Sequence, residues 1–411
     1  MNTSPATTST PRVGSPLPYN ALIWLAVAAF STGIDGYVLA GLLPKIAGEL
    51  SVTEALAGQL VSVFALTSAL AAPLLGTATS SWERRRTIAL ALAVFVLGNL
   101  VVALAPIYPV ALAGRVIAAL GGCLLNAAIT GHVIHLAPPE HRGKALSFVL
   151  GGWMTATALG VPVGLVLGQT SWRFPLVMVS VVGTVALIGI LIKLPKLRLP
   201  PTTLAERLLP LKQPRLVAGL LVTTGILCAS YTCFTYAVLI LSPTHPAGWM
   251  MILIMFGYGL ASMLGNAFTG RLADRFTPLR VLTVILIGLF ANALLGAVAF
   301  AAAAPAVIAV LGLAWFFLAG IGNGGAAVPQ QARLASMAPQ SAAIVMALNA
   351  SAISLGSALG GGLGGLTLTA GAPAPSLLWV AAGVLALTLI LHGVVAGLTA
   401  RHARQVAADP A

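Results

Sequence analysis

Charge is what this sequence lacks most. Only 7% of its 411 residues are charged, and only 8 are acids, whereas a soluble globular domain carries about 25% charged residues. That scarcity excludes the ordinary soluble enzyme or binding domain. The three cysteines, Cys123, Cys228 and Cys233, all fall in apolar runs, which excludes a disulfide framework and a metal centre built on cysteine. The run "GGGLGG" lacks the Lys-Ser/Thr pair of a phosphate loop. No nucleophile triad and no metal-ligand spacing is present, so neither an enzyme nor a metal site is expected. The first 19 residues lack the short apolar core of a signal peptide and read as a polar tail.

Apolar residues fill the space that charge leaves. They make up 59% of the chain, and the mean hydropathy is +1.01. A membrane span needs about 20 mostly apolar residues. Apolar runs broken by Pro, Gly and charge clusters predict twelve spans, at 20–43, 56–79, 87–105, 109–135, 145–169, 174–193, 215–241, 248–270, 279–303, 306–331, 341–370 and 376–399. The expected class is an all-α membrane protein with two six-helix halves. The predicted organisation is a tail at 1–19, a first half at 20–193, a linker at 194–214, a second half at 215–400 and a tail at 401–411.

The net charge of +13 could suggest nucleic acid, but its distribution does not. Of the 21 Lys and Arg residues, all but Lys45, Arg115 and Arg173 fall on one side of this arrangement, in the tails, the linker and alternate loops, Arg333 among them. Short loops rich in Lys and Arg face the cytoplasm. Both termini and the linker are therefore expected to be cytoplasmic, in a multi-pass inner membrane protein. No nucleic-acid partner is expected.

The two halves repeat. "GTATSSWERRR" (Gly76 to Arg86) follows the second span and "GRLADRFTPLR" (Gly270 to Arg280) follows the eighth, at an offset of 194 residues. The same offset carries Pro162 of the glycine-rich "GVPVG" onto Gly356 of "SLGSALGGGLGG". Parallel repeats of this kind are a transporter organisation. The first loop departs from the second, with Ser80 at the position of Asp274 and Ser81 at that of Arg275.

On these residues the chain resembles the major facilitator superfamily, and within it the 12-helix drug/proton antiporters of the arabinose-efflux and chloramphenicol-exporter type. "GRLADRFTPLR" matches the superfamily's loop signature; "RVIAALGG" resembles its helix 4 arginine motif; "LGVPVG" resembles its glycine-proline motif. The resemblance covers about residues 20–400. It implies proton-coupled export of a small drug-like molecule by alternating access. A sugar, a nucleoside or another small metabolite is the alternative substrate, and a non-transporting receptor on the same scaffold a more distant reading. A proton gradient in place of a cofactor, a lipid bilayer and a monomeric state are expected.

Asp35 is the only acid inside a predicted span. An unpaired charge there costs roughly 2.5–3.5 kcal/mol on insertion scales. It lies nine residues before Pro44, about 13 Å deep at the helical rise, and Arg115 lies seven residues after Tyr108, about 10 Å deep. Opposite charges at similar depth are natural partners. Burial favours the neutral acid and a cation favours the carboxylate, so Asp35 is either a protonatable coupling site with Arg115 or half of a structural ion pair. Ser31 and Thr32 share its helix face. Candidate cavity residues are Tyr37, Asn126, Tyr231, Tyr236, Tyr258, Trp315, Asn323 and Asn349, each of which could equally serve helix packing. His132 and His135 read as interfacial. The resemblance assigns Gly76, Arg84, Arg85, Gly270, Asp274, Arg275 and Arg280 to gating loops. Gly160, Pro162, Gly164, Gly356 and Gly360 are expected to let helices pack closely.

Overall fold

The computed structural model of the protein describes residues 19–138, 141–198, 203–242, 248–302 and 305–408; for Asp274, Ala302, residues 305–309 and residues 398–408 it describes the backbone alone. The expected tail at 1–19 lies outside the described residues except for Tyr19, and so does the gating side chain of Asp274.

Among the described residues, 12 helical segments are long and apolar enough to cross a membrane. We number them α1 (Tyr19–Glu49), α2 (Glu54–Ala78), α3 (Arg84–Ala103), α4 (Tyr108–Leu136), α5 (Arg142–Leu167), α6 (Phe174–Lys193), α7 (Pro214–Phe234), α8 (Gly248–Arg275), α9 (Pro278–Ala302), α10 (Pro305–Met337), α11 (Ala342–Thr369) and α12 (Leu377–Ala408). In hydrocarbon every backbone polar group needs an internal partner, which is why the apolar runs are helices.

Local chemistry sets the ends and the irregularities. Thr53 caps α2 by accepting from the Leu56 N–H at 3.2 Å, and Glu83 caps α3 by accepting from the Arg85 N–H at 2.9 Å. Prolines open α4, α6 and α7, where a missing N–H is not needed. Inside spans they distort the helix. Before Pro44, α1 tightens into a 3-10 turn over Leu39–Leu42. Before Pro162, α5 widens into a π segment over Ala156–Gly160.

Three predicted boundaries are corrected. The expected span 215–241 is broken, because α7 ends at Phe234 and a separate turn, Ala237–Leu241, follows it. The expected tail at 401–411 begins within α12, which continues to Ala408. The expected end of the tenth span at 331 is too early. α10 runs to Met337 and carries Arg333 inside the bundle, 5% exposed, not in a loop.

In the first half, α1 packs on α5 and α6, and α3 packs on α4 and α6; in the second, α10 packs on α8 and α9, and α7 packs on α11 and α12. Between the halves, α2 meets α11 and α5 meets α8. Small residues make these approaches possible. A Cβ on Gly164 would stand 2.8 Å from Val38 of α1, and one on Gly360 would stand 2.9 Å from the Thr232 N of α7. Gly160 and Gly356 face the same partner helices, against Ile34 and Thr224. Large side chains such as Leu70, Ile192, Leu366 and Leu387 are exposed on the outer surface, as an apolar solvent requires.

We call the end carrying residues 79–83, 194–198, 203–213 and 276–277 the basic end, and the opposite one the far end. The halves meet near the far end. The Tyr236 hydroxyl donates to the Gly361 carbonyl of α11 at 3.0 Å and reaches the Ala55 carbonyl of α2 at 3.4 Å. Ser62 and Gln59 of α2 stand beside Gly361 and Gly365 of α11.

Candidate functional site

The structure brings Asp35 and Arg115 together. Arg115 Nη1 lies 2.7 Å from Asp35 Oδ1, and both residues are 1% exposed. The arginine is held on two further sides by α2. Its Nε donates to the Leu60 carbonyl at 3.0 Å, and its guanidinium lies 4.3 Å above the Phe64 ring. Asp35 is held on one side only, since its Oδ2 has no hydrogen-bond partner. Ser31 and Thr32 do not serve the carboxylate. Ser31 donates to the Val179 carbonyl of α6 at 2.9 Å and Thr32 to the Ala29 carbonyl at 3.0 Å. A charged pair in this setting is costly to break, because removing one partner leaves the other buried and uncompensated.

Two residues further along α1, towards the far end and at the seam between the halves, aromatic rings gather. Tyr37 and Trp153 come from the first half; Tyr231, Phe234, Tyr258 and Phe316 come from the second. Tyr37 sits edge-on to Phe234 at 5.4 Å and to Trp153 at 5.7 Å. Tyr231 packs on the same Phe234 ring at 5.9 Å. Tyr258 packs on Phe234 at 5.0 Å and on Phe316 at 4.7 Å, and it accepts from Asn323 Nδ2 at 3.3 Å. Behind these rings, inside the second half, Trp315, Asn292, Asn323 and Ser230 help to line a cavity of about 30 Å³, room for about one water. Of the expected cavity residues, Tyr37, Tyr231, Tyr258, Trp315 and Asn323 therefore lie in or beside one cluster.

The other three do not. Tyr236 is fully buried at the far-end contact described above. Asn349 is buried between α11 and α7, where its Oδ1 accepts from Thr223 Oγ1 at 2.8 Å. Asn126 is exposed on α4 and lies in none of these contacts. His132 is fully buried, with neither ring nitrogen bonded, so the interfacial reading is wrong for it; His135 is exposed.

A polar network that the sequence did not announce crosses the second half. Gln330 of α10 donates to the Gly219 carbonyl at 2.7 Å and to Thr223 Oγ1 at 2.9 Å, both on α7. One turn later, Arg333 Nη1 donates to His392 Nδ1 of α12 at 2.9 Å. Arginine has no acceptor, so His392 carries its proton on Nε2, which faces Thr283 Oγ1 of α9 at 2.8 Å. Thr283 in turn donates to the Leu279 carbonyl at 2.8 Å. A lone His in an apolar run was the available signal, and it points equally to packing.

At the basic end, Arg84 and Arg85 begin α3, Arg275 ends α8 and Arg280 lies in the first turn of α9. Gly270 faces open space, while Gly76 is covered by Arg207 of the linker. Ser80, in the place of Asp274, is buried. At the far end, Glu49 pairs with Arg173 and accepts from Trp172 Nε1 at 2.6 Å, and Lys45 donates to the Gly168 carbonyl at 2.9 Å. These two outlying cations thus brace loops within the first half.

The comparisons with known proteins agree with this architecture. Residues 25–247 match the sequence profile of the Major Facilitator Superfamily. The chain is 35% identical over 280 residues to the chloramphenicol resistance protein of Streptomyces lividans, covering 66% of this chain and 69% of that one. It is 30% identical over 362 residues to the inner membrane transport protein YdhP of Escherichia coli (strain K12), covering 85% and 89%. In three dimensions it superposes on a D-xylose-proton symporter with a TM-score of 0.72 at 16% identity, covering 92% and 97%. That likeness concerns the fold. The chain belongs to the Major Facilitator Superfamily of membrane transporters.

Proposed function

We propose that the protein is a proton-coupled exporter of a small, uncharged, amphipathic molecule, working by alternating access between its two halves. The observation that carries this reading is the buried Asp35–Arg115 pair, whose free Oδ2 lies close in sequence to a seam lined by aromatic rings. Asp35 is the coupling site in this reading. Protonation at Oδ2 neutralises the carboxylate and weakens its hold on Arg115, and through Leu60 and Phe64 that arginine also holds α2, the helix that meets α11 across the seam. The rings suit an apolar planar substrate, and the shortage of buried acids disfavours a polycation. The chloramphenicol resistance protein of Streptomyces lividans supports a drug-like cargo.

The test is transport in proteoliposomes with an imposed pH gradient, with chloramphenicol as the first probe and a sugar and a nucleoside as alternatives. Chloramphenicol accumulation against its gradient, collapsing with a protonophore, is the expected result. Accumulation of the sugar or nucleoside alone would overturn the drug reading. Flux of all three that ignores the pH gradient would overturn proton coupling.

We further propose that the protein is a monomer in the cytoplasmic membrane with the basic end and both termini in the cytoplasm, because the basic end carries most of the Lys and Arg. Reporter fusions after Arg85, within 195–213 and after Arg404 should read cytoplasmic, and one after Glu54 should read external. An external signal from the linker fusion would reverse the assignment.

A further inference from the structure

The two copies of the repeated loop differ in what covers them. In the second copy, a Cβ on Gly270 would meet nothing within 4 Å among the described residues. In the first copy, the chain has lost the acid, with Ser80 standing where the repeat has Asp274. There the interdomain linker covers the end of α2. Arg207 Nη2 donates to the Gly76 carbonyl at 3.1 Å, and a Cβ on Gly76 would stand 3.0 Å from Arg207 Nη1. Gly76 lies in the last turn of α2, where carbonyls have no helical partner. The Ser80 N–H, which a continuing helix would direct to this carbonyl, goes to Thr77 instead. A cation at a helix C-terminus also meets the negative end of its dipole.

Two more bonds fasten the linker to the same half. The Arg84 N–H donates to the Leu197 carbonyl at 2.7 Å, and Arg85 Nη1 donates to the Leu194 carbonyl at 3.3 Å. The segment around Arg207 has its own capping box, with Thr203 and Glu206 exchanging bonds at 3.2 and 2.9 Å. On the other side of the linker, Arg215 Nη2 donates to the Met337 carbonyl at 3.1 Å, which ties the start of α7 to α10 of the second half. Between these two anchorages the backbone is extended at Gln213 and enters α7 at Pro214.

We infer that Arg207 is a positioning residue: it clamps the linker to the end of α2, so that residues 194–198 and 203–212 move with the first half and the flexing point between the halves is confined to Gln213 and Pro214. The inference rests on the alternating-access reading for its consequence in transport, but the clamp itself is measurable without transport.

Spin labels on the full-length protein in nanodiscs test it, using exposed positions on the first half (Trp82→Cys), the linker (Ala205→Cys) and the second half (Gln340→Cys) in a background lacking the native cysteines. The 82–205 distance should be narrow and identical at acidic and alkaline pH, while any change in 82–340 should be mirrored in 205–340. Arg207→Gln should broaden the 82–205 distribution at both pH values and slow transport about two- to fivefold, the scale of a cation at a helix terminus, with the half-saturating concentration unchanged. Arg207→Lys, which keeps a donor and a charge, should restore most of both. An 82–205 distribution unaltered by Arg207→Gln overturns the clamp, whether or not the halves rock. A distance in that pair that moves with pH in the unmodified protein overturns the assignment of the linker to the first half.

Discussion

Asp35→Asn is expected to reduce pH-gradient-driven transport to the level of empty vesicles while preserving substrate binding and part of downhill exchange. The geometry favours a folded variant. Asn is nearly isosteric, and its carbonyl oxygen can take the place of Oδ1 and keep the 2.7 Å contact with Arg115. Its amide nitrogen then occupies the place of Oδ2, which has no partner to lose. What disappears is the negative charge and the ability to exchange a proton. Arg115 retains the Leu60 carbonyl and the Phe64 ring, but its charge is no longer balanced. Breaking a buried pair typically costs 3–5 kcal/mol, so lower thermal stability would show the pair to be structural as well. Asp35→Asn combined with Arg115→Gln separates the two roles, because it removes both charges together. Counterflow exchange, gradient-driven uptake and thermal unfolding are measured on both variants and on the unmodified protein. Recovered stability with gradient-driven uptake still absent is the expected outcome. Recovery of both in the double variant would show that Asp35 carries no coupling proton.

Much of this site was legible in the sequence because depth in a membrane is a one-dimensional quantity. Helical rise and distance from a loop place Asp35 and Arg115 at similar levels, and a buried charge has few ways to be satisfied. Hydropathy gave the helices for the same reason. What was not legible depends on how helices face one another. Tyr236 and Tyr258 are both tyrosines in apolar runs of the second half, yet one closes the far end and the other sits among the rings of the seam. Nothing in their local sequence distinguishes them. Asn349 likewise meets Thr223, a pairing set by the crossing of α11 on α7. Arg333 was misplaced for a different reason. A charge near the end of an apolar run reads as a loop, but a His on a neighbouring helix accepts from it and keeps it inside. The linker's contact with the first loop was half visible. Ser80 announced that an acid was missing there, while the arginine that meets the end of α2 comes from the linker, far along the chain.

Replacing Gly58 with Leu is the second change expected to have a large effect, and it acts on the equilibrium between states. Gly58 lies on α2 against the phenol of Tyr236, so close that even a Cβ would overlap the hydroxyl end of the ring. Tyr236 cannot easily withdraw. It is fully buried, its hydroxyl is tied to the Gly361 carbonyl, and its ring is flanked by Gly364 of α11. Overpacking a well-filled contact costs typically 1–3 kcal/mol, and each 1.4 kcal/mol is about tenfold in an equilibrium. In alternating access this contact exists in the state closed at the far end and is undone in the state open there, so the penalty falls on one state only. Gly58→Leu should therefore leave the protein folded but hold it open at the far end, with turnover reduced about tenfold or more. The measurement is labelling of Ser62→Cys, a position buried beside Gly361, by a membrane-impermeant thiol reagent added from the far side, in a background lacking the native cysteines. Weak labelling before the substitution and strong labelling after it is the expected result. Adding Tyr236→Ala to Gly58→Leu vacates the space the leucine needs, and it should restore protection of position 62 and part of the turnover, a coupling that independent sites would not show. Unchanged labelling and normal turnover in Gly58→Leu would mean that the α2–α11 contact does not govern access to the far side.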